Sequence, residues 1–121
     1  MKKIMIVDDN YLSAEGIEKN IDWEALNAEI VHICYNGTSA IEAMKKESVD
    51  LIISDIEMPD LDGISMSRQA LNINPMVKII LISAYDKFEY ARRALLLGAL
   101  DYIEKPLDYA YLIQKVKTLL P

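Results

Sequence analysis

Three apolar runs punctuate the chain, and each stops abruptly at polar residues. Lys3-Ile4-Met5-Ile6-Val7 ends at Asp8-Asp9, Leu51 to Ser54 ends at Asp55, and Val77 to Ser83 carries Ile79, Ile80, Leu81 and Ile82 in succession. Short runs without alternation predict strands covered on both faces. The run from Val77 is the most apolar and is expected to be central. Glu29 to Cys34 alternates weakly and predicts a second strand in chain order, while Asp101-Tyr102-Ile103-Glu104 predicts a short fifth that ends at Lys105-Pro106.

Between the strands the period changes to that of a helix. Asn10 suits an N-cap, and Ala14, Ile17 and Ile21 give the first helix one apolar face. The connector Asp22 to Asn27 follows, with Trp23 and Leu26 expected to pack beneath it. Asn36-Gly37 signals a turn. Ser39-Ala40-Ile41-Glu42 has capping-box spacing, which predicts a second helix running to about Glu47. Ile64, Ser67 and Leu71 mark a third helix, stopped by Asn74-Pro75. Phe88, Ala91, Ala94 and Leu95 mark a fourth, with Gly98 suited to its C-terminal cap. Tyr109, Leu112, Ile113, Val116, Leu119 and Leu120 mark a fifth.

The order is βα repeated five times. It predicts an α/β domain: a doubly wound, five-stranded parallel sheet with helices on both faces and the flavodoxin-like strand order 2-1-3-4-5. At 121 residues the whole chain, 1–121, reads as one domain. No apolar run approaches a membrane span, and Lys2-Lys3 precede a run too short for a signal peptide. The net charge of -6 argues against direct nucleic-acid binding and is compatible with a bound cation. The single Cys34 leaves no internal disulfide and fits a reducing cytoplasm. His32 has no second histidine with which to share a metal and is given no role.

Ligands of open parallel sheets bind outside the carboxyl ends of the strands. Asp55, at the end of the third strand, is therefore the first candidate for chemistry, although an aspartate there can also simply open a turn. The same edge receives Asp8 and Asp9 from strand one, Ser83 from strand four and Lys105 from strand five. Three crowded carboxylates repel unless a cation compensates. Oxygen ligands with open positions suit Mg²⁺. A metal, an ammonium and a hydroxyl around one carboxylate would stabilise an arriving phosphoryl group, with Asp55 as the nucleophile.

Asp8-Asp9, Asp55 within Ser-Asp-Ile-Glu-Met-Pro-Asp-Leu-Asp-Gly, Ser83-Ala84 and Lys105-Pro106, in this order and spacing, resemble the receiver domain of two-component response regulators over essentially the whole chain. The resemblance implies that Asp55 is phosphorylated. Asp9 and Asp55 would bind Mg²⁺ directly, Asp8 through water, and Glu57 through its carbonyl. Ser83, Lys105 and the Ala84 N–H would hold the phosphoryl oxygens. It also implies a cis Lys105–Pro106 bond, and a switch in which Ser83 shifts and Tyr102 turns inward, remodelling the face of the fourth helix, fifth strand and fifth helix. Glu57 and Tyr85 stand where the family tunes phosphoryl lifetime.

Ile21-Asp22-Trp23, the stretch Ser83 to Ala91, and Asp101 to Asp108 look like receivers of regulators with AraC-type DNA-binding outputs. The implied partners are a sensor histidine kinase and an output DNA-binding domain, in a cytoplasmic protein without membrane contact. The implied domain is no enzyme, beyond assisting its own phosphotransfer and dephosphorylation. A piece of a longer transcription regulator is expected, with a free-standing receiver as the alternative. Phe88, Tyr90, Arg92 and Arg93 give the fourth helix a mixed surface, and a homodimer on phosphorylation is expected. Two other functions bear comparison. A Mg²⁺-dependent phosphatase would use Glu57, two residues after the nucleophile, as its acid, but no cap segment encloses a substrate. A flavodoxin-like electron carrier needs a Ser/Thr- and Gly-rich phosphate loop where Asp8-Asp9-Asn10 would repel flavin phosphate.

Overall fold

The apolar runs become five parallel strands, because isoleucine, valine and leucine side chains alternate between the two faces of a sheet and must be covered on both. A computed structural model describes residues 1–84, 89, 92, 93, 96, 98 and 101–121. The strands are β1 (Lys2–Val7), β2 (Ala28–Cys34), β3 (Leu51–Asp55), β4 (Lys78–Ser83) and β5 (Asp101–Glu104), in the spatial order β2-β1-β3-β4-β5. The described helices are α1 (Tyr11–Asn20), α2 (Gly37–Lys46), α3 (Gly63–Ile73) and α4 (Tyr109–Leu119), and Glu24–Leu26 forms a 3₁₀ turn. This is the doubly wound, flavodoxin-like sheet that the βα alternation predicts. β3 is the central strand, and β4 lies inside the sheet between β3 and β5.

Alternation splits the core into two layers. Met5, Val7, Ile52, Ile79 and Leu81 point to one face and pack with Ala40, Ile41, Met44, Ile64 and Ala70 of α2 and α3. Ile4, Ile6, Leu51, Ile53, Ile80 and Ile82 point to the other and pack with Ala14, Ile17, Leu112 and Val116 of α1 and α4. Each fully buried Ile or Leu contributes about 1.5–3 kcal/mol of transfer free energy, so the two layers over the sheet supply much of the stabilisation. Trp23 is buried, its indole N–H donating to the Ile17 carbonyl at 3.3 Å. Leu26 is half-buried and packs on the same layer.

All four described helices begin at an Asn or Asp whose side chain accepts a backbone N–H. Asn10 accepts from Ser13, Asn36 from Ser39, Asp62 from Ile64 and Ser65, and Asp108 from Ala110 and Tyr111. The start of α2 therefore differs from the capping box expected at Ser39. Asn36 is the cap, Gly37 is already helical, and Ser39 supplies an N–H where a cap would supply an acceptor. Asn36 wins because its short carboxamide reaches the third N–H from an extended backbone, leaving Ser39 inside the first turn.

Glu89, Arg92, Arg93 and Leu96 are helical, and Gly98 has a left-handed φ of 83°, open to glycine at no steric cost. Phe88, Ala91, Ala94 and Leu95, expected as the buried side of the fourth helix, lie outside the described residues, as do Tyr85 and Tyr90. Among the described residues no helix is long and apolar enough to cross a membrane.

Candidate functional site

Strand register decides which polar groups meet. Val7 pairs with Ser54 and Asp55 with Ile82, so Asp8 leaves β1 beside the end of β3. Ser83 pairs with Glu104, and the next residue, Lys105, donates its N–H to the Ser83 carbonyl at 2.8 Å. The Lys105–Pro106 peptide bond is cis. Backbone bonds pin the loop after β3: Ile56 N–H donates to the Ile82 carbonyl at 3.0 Å, and Gly63 N–H to the Ile56 carbonyl at 2.8 Å. Gly63 passes so close that a Cβ there would overlap the Asp55 carbonyl oxygen and lie 2.8 Å from Ile56 Cα.

Asp8, Asp9 and Asp55 converge, with one carboxylate oxygen from each lying within 4.8 Å of the others. Asp8 and Asp55 are only 4% and 6% exposed, while Asp9 is exposed. Burial pushes the Asp8 carboxyl up from 3.8 to about 6, aided by the nearby Asp55 charge and opposed by the Asn10 N–H that it accepts at 2.9 Å. Burial also raises Asp55, opposed by Lys105, whose Nζ lies 3.4 Å from Asp55 Oδ2. Among the described residues, one ammonium faces a cluster of three carboxylates. A compact, oxygen-only, under-compensated donor set of this kind fits a hard divalent cation such as Mg²⁺.

Ser83 is fully buried, and its hydroxyl donates to Glu57 Oε1 at 3.3 Å. Tyr102 is half-buried beside the α2–α3 layer. Burial pushes its phenol up. The structure therefore brings Asp8, Asp9, Asp55 and Lys105 together. It places Ser83 beside Lys105, with Glu57 as the acceptor for its hydroxyl, and Tyr102 on the neighbouring strand β5. Ala84 follows Ser83 directly and is half-buried.

Two residues of the acidic loop have roles that the sequence pattern left unassigned. Asp62 caps α3, as its place just before a helical apolar period could have signalled. Asp60 reaches across to α2 and accepts from Gly37 N–H at 3.3 Å and Thr38 N–H at 3.1 Å. A hydrogen bond from the Thr38 side chain and these backbone donors hold its carboxyl down at about 2. No local signal marks that second role, since the partners are separated by more than twenty residues. His32, given no role, sits on edge strand β2 with its Nε2 3.0 Å from Glu47 Oε1.

A parallel sheet of order 2-1-3-4-5, with a buried acidic pocket and a lysine at its carboxyl edge, defines a flavodoxin-like α/β domain with a cation-ready site. Residues 4–117 match the response regulator receiver domain, and the chain belongs to that family. It is 35% identical to the receiver domain of AraT, a response regulator from Geobacillus stearothermophilus, with a TM-score of 0.91 over 98% of this chain and 92% of that one. It is 31% identical to a two-component transcriptional regulator AraC from Clostridium phytofermentans, with a TM-score of 0.87 over 99% and 92%. It is also 29% identical to the uncharacterised transcriptional regulatory protein YesN of Bacillus subtilis over 99% of this chain, which spans 33% of that relative's length. These similarities agree with the resemblance to AraC-type regulators. A receiver is a signalling domain of two-component systems, which sets aside the phosphatase and flavin-carrier alternatives.

Proposed function

We propose that Asp55 accepts a phosphoryl group from the phosphohistidine of a sensor histidine kinase, and that the modification switches an output. The observation that carries this is the convergence of Asp8, Asp9 and Asp55 with Lys105 on Asp55 Oδ2 at 3.4 Å. An Asp55 oxygen forms the new P–O bond while the P–N bond of the donor breaks and its electron pair returns to the imidazole. Charge spreads over the three equatorial oxygens of the transferring group. The Lys105 ammonium, the Ser83 hydroxyl and the Ala84 N–H would receive those oxygens. Bound Mg²⁺, held by Asp8, Asp9, Asp55 and the Glu57 carbonyl, would neutralise charge on both carboxylates and phosphoryl. The domain assists its own phosphotransfer and dephosphorylation and turns over no separate substrate.

The test is intact mass after incubation with acetyl phosphate. The native chain is expected to gain one phosphoryl group with Mg²⁺ and none after chelation, and Asp55→Asn to gain none under either condition. Undiminished gain in the variant would contradict the role of Asp55.

Residues 1–121 act as one receiver domain in this account. Ser83 and Tyr102 transmit the switch to the face formed by the helix after β4, β5 and α4. Arg92 and Arg93, exposed on that helix, support a homodimer on phosphorylation. A sedimentation mass that doubles on full phosphorylation is expected, and an unchanged mass would count against the dimer. The regulator relatives, of which YesN is three times as long as the match, support an output DNA-binding domain in the full-length protein. The charge of -6 supports a receiver that makes no direct nucleic-acid contact, and the lone Cys34 supports a cytoplasmic setting.

A further inference from the structure

The Ser83 hydroxyl has one proton to donate, and the structure gives that proton to Glu57 Oε1 at 3.3 Å. Ser83 is completely buried, so its hydroxyl cannot turn to bulk water and needs a partner inside the protein. Glu57 is exposed, so its carboxylate can swing into solvent at little cost. The bond is longer than the 2.7–2.8 Å usual for O–H···O, which makes it weak and easily exchanged. A phosphoryl group on Asp55, two residues before Glu57, would offer the same hydroxyl a doubly charged acceptor and repel the Glu57 carboxylate at the same time.

We propose that the Glu57 side chain is a latch on Ser83: it holds the hydroxyl proton before phosphorylation and must release it for Ser83 to bind the phosphoryl group. The inference rests on Asp55 being the phosphoacceptor. Glu57 is a positioning residue here, acting on the site through Ser83. The latch thereby couples the Ser83 hydroxyl to occupancy of the site. Its cost is borne as a lower affinity for the phosphoryl group, since a state that must be vacated lowers apparent binding in proportion to its population.

Beryllium fluoride with Mg²⁺ is the probe, as a non-covalent phosphoryl mimic, and the comparison is a four-protein cycle of the native chain, Glu57→Ala, Ser83→Ala and the double variant. Glu57→Ala is expected to tighten binding about twofold, equivalent to about 0.5 kcal/mol, the low end for one hydrogen bond. The gain is expected to be clearly smaller in the Ser83→Ala background, where only relief of charge repulsion is left. An equal gain in both backgrounds would assign the effect to charge repulsion alone and overturn the latch, as would no gain in either.

An independent readout uses the unmodified protein. Hα–Hβ couplings are expected to show one Ser83 χ1 rotamer in the native chain and averaging in Glu57→Ala. An unchanged rotamer overturns the latch whatever happens at Asp55. If none of the four proteins binds beryllium fluoride, Asp55 as phosphoacceptor is contradicted, and the rotamer measurement alone decides the latch.

Discussion

Replacing Gly63 by alanine is expected to destabilise the domain by about 2–3 kcal/mol, the usual cost of overpacking a site that cannot yield. Gly63 is the first residue of α3 and lies against the backbone of Asp55 and Ile56. The added methyl would overlap a carbonyl oxygen and a Cα, neither of which can rotate away as a side chain could. Alanine is the better helix former by about 1 kcal/mol in a helix interior, and less at a first position. That gain does not offset a clash with pinned backbone. For a chain of this size the loss corresponds to about 10 °C in Tm. The same clash displaces the end of β3, which carries Asp55, so phosphoryl uptake should fall by about a hundredfold, the scale set by an ångström of misplacement. Urea midpoints at constant m-value test the first effect and uptake from acetyl phosphate the second. An unchanged midpoint would show that the loop can move aside and would remove Gly63 from the account.

Asp8→Asn is expected to stabilise the metal-free protein at neutral pH and to leave it unchanged near pH 4. The Asp8 carboxyl titrates at about 6 in the folded protein, raised by burial. In the unfolded chain an aspartate titrates near 3.9. Between these values the folded state keeps a proton that the unfolded state has lost. Stability therefore falls as pH rises from about 4 to about 6, and the penalty is complete above that range. A shift of about two pH units corresponds to at most about 3 kcal/mol.

Asparagine carries no charge to desolvate and can still accept the Asn10 N–H. Mg²⁺ offsets the buried charge, so adding it to the native chain should narrow the difference between the two proteins at neutral pH. Denaturation at both pH values, with Mg²⁺ and with chelator, provides the check. A variant that is less stable at neutral pH, or equally stabilised at both, would contradict burial as the source of the Asp8 shift.

The parts of the molecule that were legible in the sequence are those governed by local pattern. The unbroken runs Ile4–Val7, Leu51–Ile53 and Ile79–Ile82 suit strands with two covered faces, and they became β1, β3 and β4. The alternation of strands with helices left few topologies, and the carboxyl edge of the common one collects Asp8, Asp9, Asp55 and Lys105.

What the sequence did not disclose depends on distance in the chain or on competition within a few residues. Asp60 caps α2 from a loop more than twenty residues away. Gly63 matters because of a backbone approach that no composition marks. Asn36 and Ser39 are both good caps, and only the turn geometry selects Asn36. The Ser83 partner could not be read either, since a buried hydroxyl takes whichever acceptor the folded loop presents, and that acceptor is Glu57.

The most direct measurement of the central claim is chemical trapping of the phosphorylated residue. Borohydride reduces an acyl phosphate to the alcohol, so an aspartyl phosphate becomes homoserine at its own position. After incubation with acetyl phosphate and Mg²⁺, reduction and peptide mapping are expected to place homoserine at Asp55, with Asp8 and Asp9 unchanged. Homoserine at Asp8 or Asp9, or none in protein whose intact mass shows the phosphoryl gain, would contradict Asp55 as the acceptor.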